Sequence, residues 1–434
     1  MSRYLARQAH SGFRFRNKAA LSGLNLNISF RPLSISISLP SKEREDSQKV
    51  EEWASKEAID ALKGFKKRFD SSKDKPVSTY YHKLDANQIH LLRITEANIL
   101  PLGLSNGKKA EGQSGLEYEA QLRQNEEDVL VGHQAESSGI LANGIPHRSL
   151  IRPTEHLAFF TPRVSSSSLG SDGSDTTFNP PGGVFTRRMW AGGKMEWLSR
   201  SRKNTEAMRV GDQLWERTFV EEAELKKLSN GGEMLLVWVR KEFGLLNENP
   251  IMIDRRSWIF QRALPTSTAE PQMSPAITPK PDLSSLSPPE GLLYPTLLYQ
   301  TPANLFRYSA LTFNAHAIHL SPPWAQQVEG HQGIVVHGPL NLSLLVRKWG
   351  RDIAGWHLNE RGEFIDGPKG GKTHNIVSVK YRAKRPIYAE QPYWIGIDGS
   401  VAKETSRTNK EKHTILAVKP DGEVIMEATI VSWI

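Results

Sequence analysis

A chain of 434 residues, 38% apolar and 24% charged, is long enough for two domains with separate cores and too apolar to be wholly disordered. It has no cysteine, which removes disulfides, thiolate nucleophiles and cysteine-ligated zinc; its best apolar run, Gly333–Val346, is interrupted by His337 and Asn341 and is too short to cross a bilayer. The net charge of +9 is concentrated at one end: Arg3, Arg7, Arg14, Arg16, Lys18, Arg31 and Lys42 all precede the first acid, Glu43, and taking these seven from +9 leaves +2 on the other 392 residues, so nucleic acid is not an expected partner.

In chain order, residues 1–42 are arginine-bearing, serine-rich and acid-free, the composition of a mitochondrial transit peptide, and predict a matrix location. Folding is expected from Asp46 or Ser47. Val50, Trp53, Ala54, Ala58, Ala61, Leu62 and Phe65 recur at helical spacing, with Lys66, Lys67 and Arg68 near the helix end. A first domain is expected over 46–264, interrupted by polar insertions at 103–149 and 164–183. Buried strands are read at EMLLVWVRKEF and at SWIFQRAL, 257–264. Residues 265–292 are rich in proline and serine and form the expected linker, after which 293–434 makes a second domain. There, Ser321 followed by Pro322 and Pro323 starts a short helix that stops at Gly330, and Gly338–Pro339 opens a longer apolar helix ending near Gly350. IVSVKYRAKRPIY, PYWIGIDG and a hairpin turning at Asp421–Gly422 read as antiparallel strands, so the class is α+β.

The stretch Tyr308–Ala325 resembles the hydratase motif of MaoC-like enzymes. Tyr308, Leu311, Thr312, Ile318, His319 and Ala325 fall on its pattern, while its Gly, Asp, Asn and Pro are replaced by Phe313, Asn314, His316 and Ala317. RRMWAGG in the first half, and EG…GIVVHGPL and YRAKRPIYAEQPYWIGID in the second, are similar to the branch holding mitochondrial hydroxyacyl-thioester dehydratase type 2 and mesaconyl-CoA hydratase-like proteins; the likeness spans roughly residues 150–260 and 295–400. It implies a double hot-dog fold, each half an antiparallel sheet wrapped around a long central helix. It also implies a hydro-lyase that needs no cofactor, its substrate carried on acyl-carrier protein or coenzyme A. A homodimer is left open.

Dehydrating a 3-hydroxyacyl thioester needs a base for the proton alpha to the carbonyl, an acid for the departing hydroxyl, and donors for the enolate oxygen. His319 stands where the family keeps its catalytic histidine, and imidazole titrates in the useful range. Asn314 replaces an aspartate; an amide positions but does not act as a base, so a second titrating group must come from elsewhere, with His316 and His337 as auxiliary candidates. The N–H of Gly338, opening the central helix, matches the family's oxyanion donor. His316, His319, His331 and His337 raise the question of a metal, but no carboxylate stands at ligand spacing, and none is expected. Arg187 and Arg188 either grip a coenzyme A phosphate or an acidic carrier protein, or serve as structural arginines. GPKGGKTH, 367–374, fails the phosphate-loop spacing because position 366 is Asp366. The leading function is 3-hydroxyacyl-thioester dehydration in mitochondrial fatty-acid synthesis. The alternatives are hydration of an enoyl-CoA of the mesaconyl-CoA type and non-catalytic acyl-thioester binding.

Overall fold

The computed structural model describes residues 53–70, 75–97, 99–100, 120, 148–198, 207–264, 283–358, 364–365, 375–400, 404–405 and 409–433. The expected transit peptide, most of the 103–149 insertion, residues 265–282 of the linker and the 367–374 stretch lie outside them. No helix among the described residues is long and apolar enough to cross a membrane.

The first described helix, α1 (Lys56–Arg68), starts at Ser55, whose Oγ accepts the Ala58 N–H at 3.2 Å. Ala58, Ala61 and Phe65 form its buried stripe, and Lys66, Lys67 and Arg68 fill its last turn, where cations favour the helix dipole. The strands of the first half are β1 (Ser78–Lys83), β2 (Phe185–Trp197), β3 (Gln213–Lys227), β4 (Glu233–Leu245) and β5 (Pro250–Arg262). Those of the second are β6 (Leu292–Tyr299), the two-residue hairpin of β7 (His357–Leu358) and β8 (Phe364–Ile365), β9 (Ile376–Ala383), β10 (Pro392–Asp398), the short β11 (Glu404–Thr405) on the flank of β12 (Lys410–Val418), and β13 (Val424–Trp433).

One strand order occurs twice. The first half runs β1-β3-β4-β5-β2 and the second β6-β10-β12-β13-β9, so in each the first, third, fourth, fifth and second long strands lie side by side. The halves meet where β2 pairs antiparallel with β9, from Gly192 opposite Arg382 to Glu196 opposite Ser378. Pairing two equivalent strands antiparallel is what a local twofold axis produces, and it yields one continuous antiparallel sheet. The fold is the expected α+β double hot-dog.

The sheet of the second half packs on one long helix. That helix, α4 (Gly338–Trp349), buries Leu340, Leu342, Leu344, Leu345, Val346 and Trp349 and packs on β10, β12 and β13. In the first half the helical cover is divided. Helix α1 lies on β3 and β4, while α2 (Ala86–Ala97) packs against α3 (Pro302–Leu311) and the single turn Glu155–Ala158. A buried ionic network ties α2 to α4: Arg93 and Arg152 hold Glu155, and Glu96 lies 3.3 Å from Arg152 and 3.6 Å from Arg347. Losing Glu96 or Glu155 would leave buried arginine charge less compensated, so the network favours the two helices staying together.

The seam needs glycine. A Cβ on Gly193 would lie 2.0 Å from the Arg255 carbonyl oxygen and 2.5 Å from the Tyr381 hydroxyl; on Gly192 it would lie 2.7 Å from the Tyr381 carbonyl oxygen. Replacing Gly193 by valine is therefore expected to lower stability by about 1–3 kcal/mol or more through overpacking, seen as an earlier urea midpoint; an unchanged midpoint would remove the close-approach argument.

Candidate active site

Helix α3 is capped by Thr301, whose Oγ1 accepts the Asn304 N–H at 3.2 Å, and it delivers Tyr308 and Ser309 to the interior. After Leu311 the chain turns sharply at Phe313, which adopts a left-handed φ of 48° with its side chain largely exposed. This is the slot the hydratase pattern fills with glycine, and a non-glycine residue tolerates it at a cost of about 1–2 kcal/mol. Asn314 closes the turn: its N–H donates to the Ser309 carbonyl at 2.8 Å, and its Oδ1 accepts the His316 N–H at 3.2 Å. A single helical turn, Ala317–His319, then directs Ile318 and His319 inward.

His319 is buried, and its Nδ1 lies 2.7 Å from the Val335 carbonyl oxygen. A carbonyl only accepts, so Nδ1 carries the proton and Nε2 keeps its lone pair. Val335 reciprocates by donating its N–H to the Ile318 carbonyl at 2.9 Å, which pins the turn to the strand-like segment leading into α4. The residue preceding that helix, His337, stacks on His319 with ring centroids 3.7 Å apart and 19° between planes. The Nε2 of His337 pairs with the Ser309 hydroxyl at 2.8 Å, and its ring meets Tyr308 edge-on. His319 thus lies against the residue that immediately precedes Gly338. The Gly338 N–H has no acceptor within the helix, and Pro339 has no N–H at all. Trp190 of β2 covers Gly338, where a Cβ would meet its Cε3 at 2.4 Å, and is itself stacked on Tyr381 at 4.6 Å.

Electrostatics keep this cluster neutral. Burial pushes the proton affinity of His319 well below the usual imidazole range; His337, His316 and His331 add to the effect, and the bond to Val335 opposes it. Burial likewise lowers His337 to about 3 and His331 to about 4. Near neutral pH His337 is thereby uncharged, packed on His319 and paired with Ser309.

The fold also supplies what sequence spacing did not offer. Asp172, from the serine-rich 164–183 stretch, and Glu329, just before Gly330, both approach His316: its Nε2 lies 3.3 Å from Asp172 Oδ2 and 3.9 Å from Glu329 Oε1. Gly173, at φ 74°, allows this, because a Cβ there would lie 2.3 Å from the Ala315 carbonyl oxygen; the Asp172 carbonyl in turn accepts the Ala317 N–H at 2.7 Å. The 164–183 stretch is thus a docked loop with one short helical turn, Ser166–Ser168. His316 meets His319 edge-on at 5.6 Å. Burial alone would raise the Glu329 carboxyl, yet the neighbouring His316 and Arg187 hold it below the usual carboxylate value; at 3.9 Å His316 is too far for a hydrogen bond.

Arg187 is engaged by Glu329. It is buried, with Nε 3.3 Å from Glu329 Oε2 and its Nη2 donating to the Glu329 carbonyl at 3.0 Å. Arg188, half-buried, donates to the Asp175 carbonyl at 2.7 Å and lies 6.0 Å over the Trp258 ring. Both are engaged inside the fold, which favours the structural alternative for them. The signals for Asp172 and Glu329 were weak: a Gly-Ser-Asp-Gly-Ser-Asp run and a lone Glu-Gly pair, neither marked by periodicity.

A family model described as "Hydroxyacyl-thioester dehydratase type 2" matches residues 154–389, more than half of the chain. Mesaconyl-C(4)-CoA hydratase of Chloroflexus aurantiacus is 28% identical over 310 residues, covering 70% of this chain and 93% of that protein. The mitochondrial hydroxyacyl-thioester dehydratase type 2 of Schizosaccharomyces pombe is 26% identical over 270 residues, 57% of this chain and 77% of that one. Among solved structures, a MaoC-like dehydratase from Phytophthora capsici aligns over 84% of this chain and 98% of its own, at 14% identity and a TM-score of 0.42.

Depressed imidazole affinities make folding pH-dependent in a definite direction. His319 and His337 bind protons more readily unfolded than folded, so their share of stability is intact above about pH 6.5, the unfolded value, and is lost as the pH falls toward the folded value of about 3 for His337. Urea midpoints should be level above pH 7 and decline below about 6.5, with a shallower decline in His337→Asn. A midpoint independent of pH from 7 to 4 would refute the buried neutral pair.

Proposed function

Because the chain belongs to the hydroxyacyl-thioester dehydratase type 2 family, we propose that it is a hydro-lyase that reversibly removes water from a 3-hydroxyacyl thioester at His319 and the amino end of α4. The observation that carries this reading is the buried, neutral imidazole of His319, with Nδ1 committed to the Val335 carbonyl at 2.7 Å and Nε2 left as the basic atom. Nε2 takes the proton alpha to the thioester carbonyl, and the electron pair of that C–H bond moves into the enolate. The Gly338 N–H and the positive end of α4 stabilise the oxyanion. As the enolate collapses, the bond to the 3-hydroxyl breaks, and the hydroxyl leaves as water with the proton returned by the His319 imidazolium. Asn314 has its Oδ1 engaged by His316, which leaves its amide N–H groups to orient the hydroxyl. Imidazole and backbone donors suffice for these steps, with the acyl group carried on its thioester partner.

The carrier is proposed to be acyl-carrier protein and the setting mitochondrial fatty-acid synthesis. The acid-free, arginine-bearing residues 1–42 support this, as does the relative named mitochondrial in fission yeast. A second reading, hydration of an enoyl-CoA, is favoured by the Chloroflexus relative, nearly all of which this chain covers.

Turnover of an enoyl thioester by the wild type and by His319→Ala tests the proposal, with carrier-protein and coenzyme A forms compared side by side. The variant is expected to lose about 10²–10⁴-fold in rate. Equal rates would remove His319 from the chemistry, no turnover by either protein would favour the non-catalytic binding reading, and a preference for the coenzyme A form would favour the second reading.

A further inference from the structure

We propose that Asp172, His316 and Glu329 form a binding site for one divalent transition-metal ion, Zn²⁺ in the first instance, that staples the Asp172 loop to the turn carrying His319. The three ligand atoms lie within 4.8 Å of one another, and the residues are 7%, 5% and 3% exposed. The His316 Nε2 is buried, aimed at both carboxylates, and hydrogen-bonded to neither, although Asp172 Oδ2 is only 3.3 Å away. A protonated imidazole settling between two carboxylates would align on one of them. Metal–ligand bonds of about 2.0–2.2 Å in tetrahedral geometry place neighbouring ligands about 3.3–3.6 Å apart; the 3.3 Å between His316 and Asp172 already meets this, and Glu329, 3.9 Å from His316, would close in by a few tenths of an ångström on binding.

Both carboxylates are held by a second contact, as the ligands of metal sites are. Asp172 Oδ1 accepts the Ser174 N–H and hydroxyl, both at 2.9 Å, and the same hydroxyl lies 2.8 Å from Oδ2. Glu329 gives Oε2 to Arg187 at 3.3 Å and turns Oε1 toward the imidazole. His316 is oriented through its backbone by Asn314. Arg187 offsets one carboxylate charge on the oxygen the ion would not use. One imidazole nitrogen and two carboxylate oxygens suit Zn²⁺, Mn²⁺ or Fe²⁺ better than Ca²⁺, and three protein ligands leave a position for water. The ligands come from three separate segments, so the ion would fix a tertiary contact that the short turn bonds hold only locally. The role is structural and does not depend on the thioester chemistry.

The full chain, stripped with a chelator and titrated with Zn²⁺, is expected to bind one ion per molecule; Asp172→Asn and Glu329→Gln, which keep side-chain volume, should each weaken binding about 10–100-fold. Zn²⁺ should raise the Tm of the wild type in a concentration-dependent manner, and the same rise in Glu329→Gln should need about 10–100-fold more Zn²⁺. As a measurement needing no variant, X-ray absorption of the Zn²⁺-loaded wild type should show one imidazole with oxygen neighbours. Binding of less than about a tenth of an equivalent, binding undiminished in both variants, or a spectrum without imidazole would each overturn the site.

Discussion

The pairing of β2 with β9 is the constraint on which the rest of the molecule depends. β2 is hydrogen-bonded to β5 on one side and to β9 on the other, so it is the strand through which both halves become one sheet. That position explains the run Trp190-Ala191-Gly192-Gly193. The two glycines let the Arg255 carbonyl and Tyr381 approach at distances no side chain permits, and Trp190, stacked on Tyr381, is carried across the seam onto Gly338. A residue of the first half thereby walls the amino end of the helix in the second. Neither half contains the complete arrangement.

Behind that wall the chemistry follows from desolvation. Three imidazoles, His319, His337 and His331, are kept neutral by burial. A neutral imidazole with one nitrogen committed to a carbonyl presents its other nitrogen as a base without first having to lose a proton. The charged groups, Asp172, Glu329 and Arg187, gather on the far side of His316, one ring removed from His319. His316 thus lies between the neutral ring of His319 and the ionic groups.

The start of helix α4 and the β12–β13 hairpin were legible because their signals are local: Gly338-Pro339 begins the helix, and Gly422, at φ 87°, makes the turn; the expected stop at Gly350 was not one, since Gly350 is itself helical and the chain continues as a π-helical turn to Ala354 before Gly355, at φ 73°, ends it. The Ser321-Pro322-Pro323 start was legible for the same reason, with Ser321 Oγ accepting the Trp324 N–H at 3.3 Å. Helix α2 was not, since it buries His90, Arg93 and Glu96 along with Ile89 and Leu92, and an all-round polar and apolar burial leaves no stripe to detect. Asp172 was hidden differently. Its loop has the composition of a solvated insertion, and only a left-handed glycine brings it to a histidine lying far along the chain. Spacing rules find ligands that share an element, whereas this cluster is assembled from three.

Spending both second strands on each other has a consequence for solubility. Two separate sheets would have four open borders; among the described residues the fused ladder ends only at β1 and β6. Within β6, Tyr294 takes a left-handed φ of 50°, and Pro295 has no N–H to offer an incoming chain, while opposite them the register slips between Ile395 and Ile397. A foreign strand arriving at that border meets a broken row of donors rather than a template, which is how a long antiparallel sheet resists growing into a fibril.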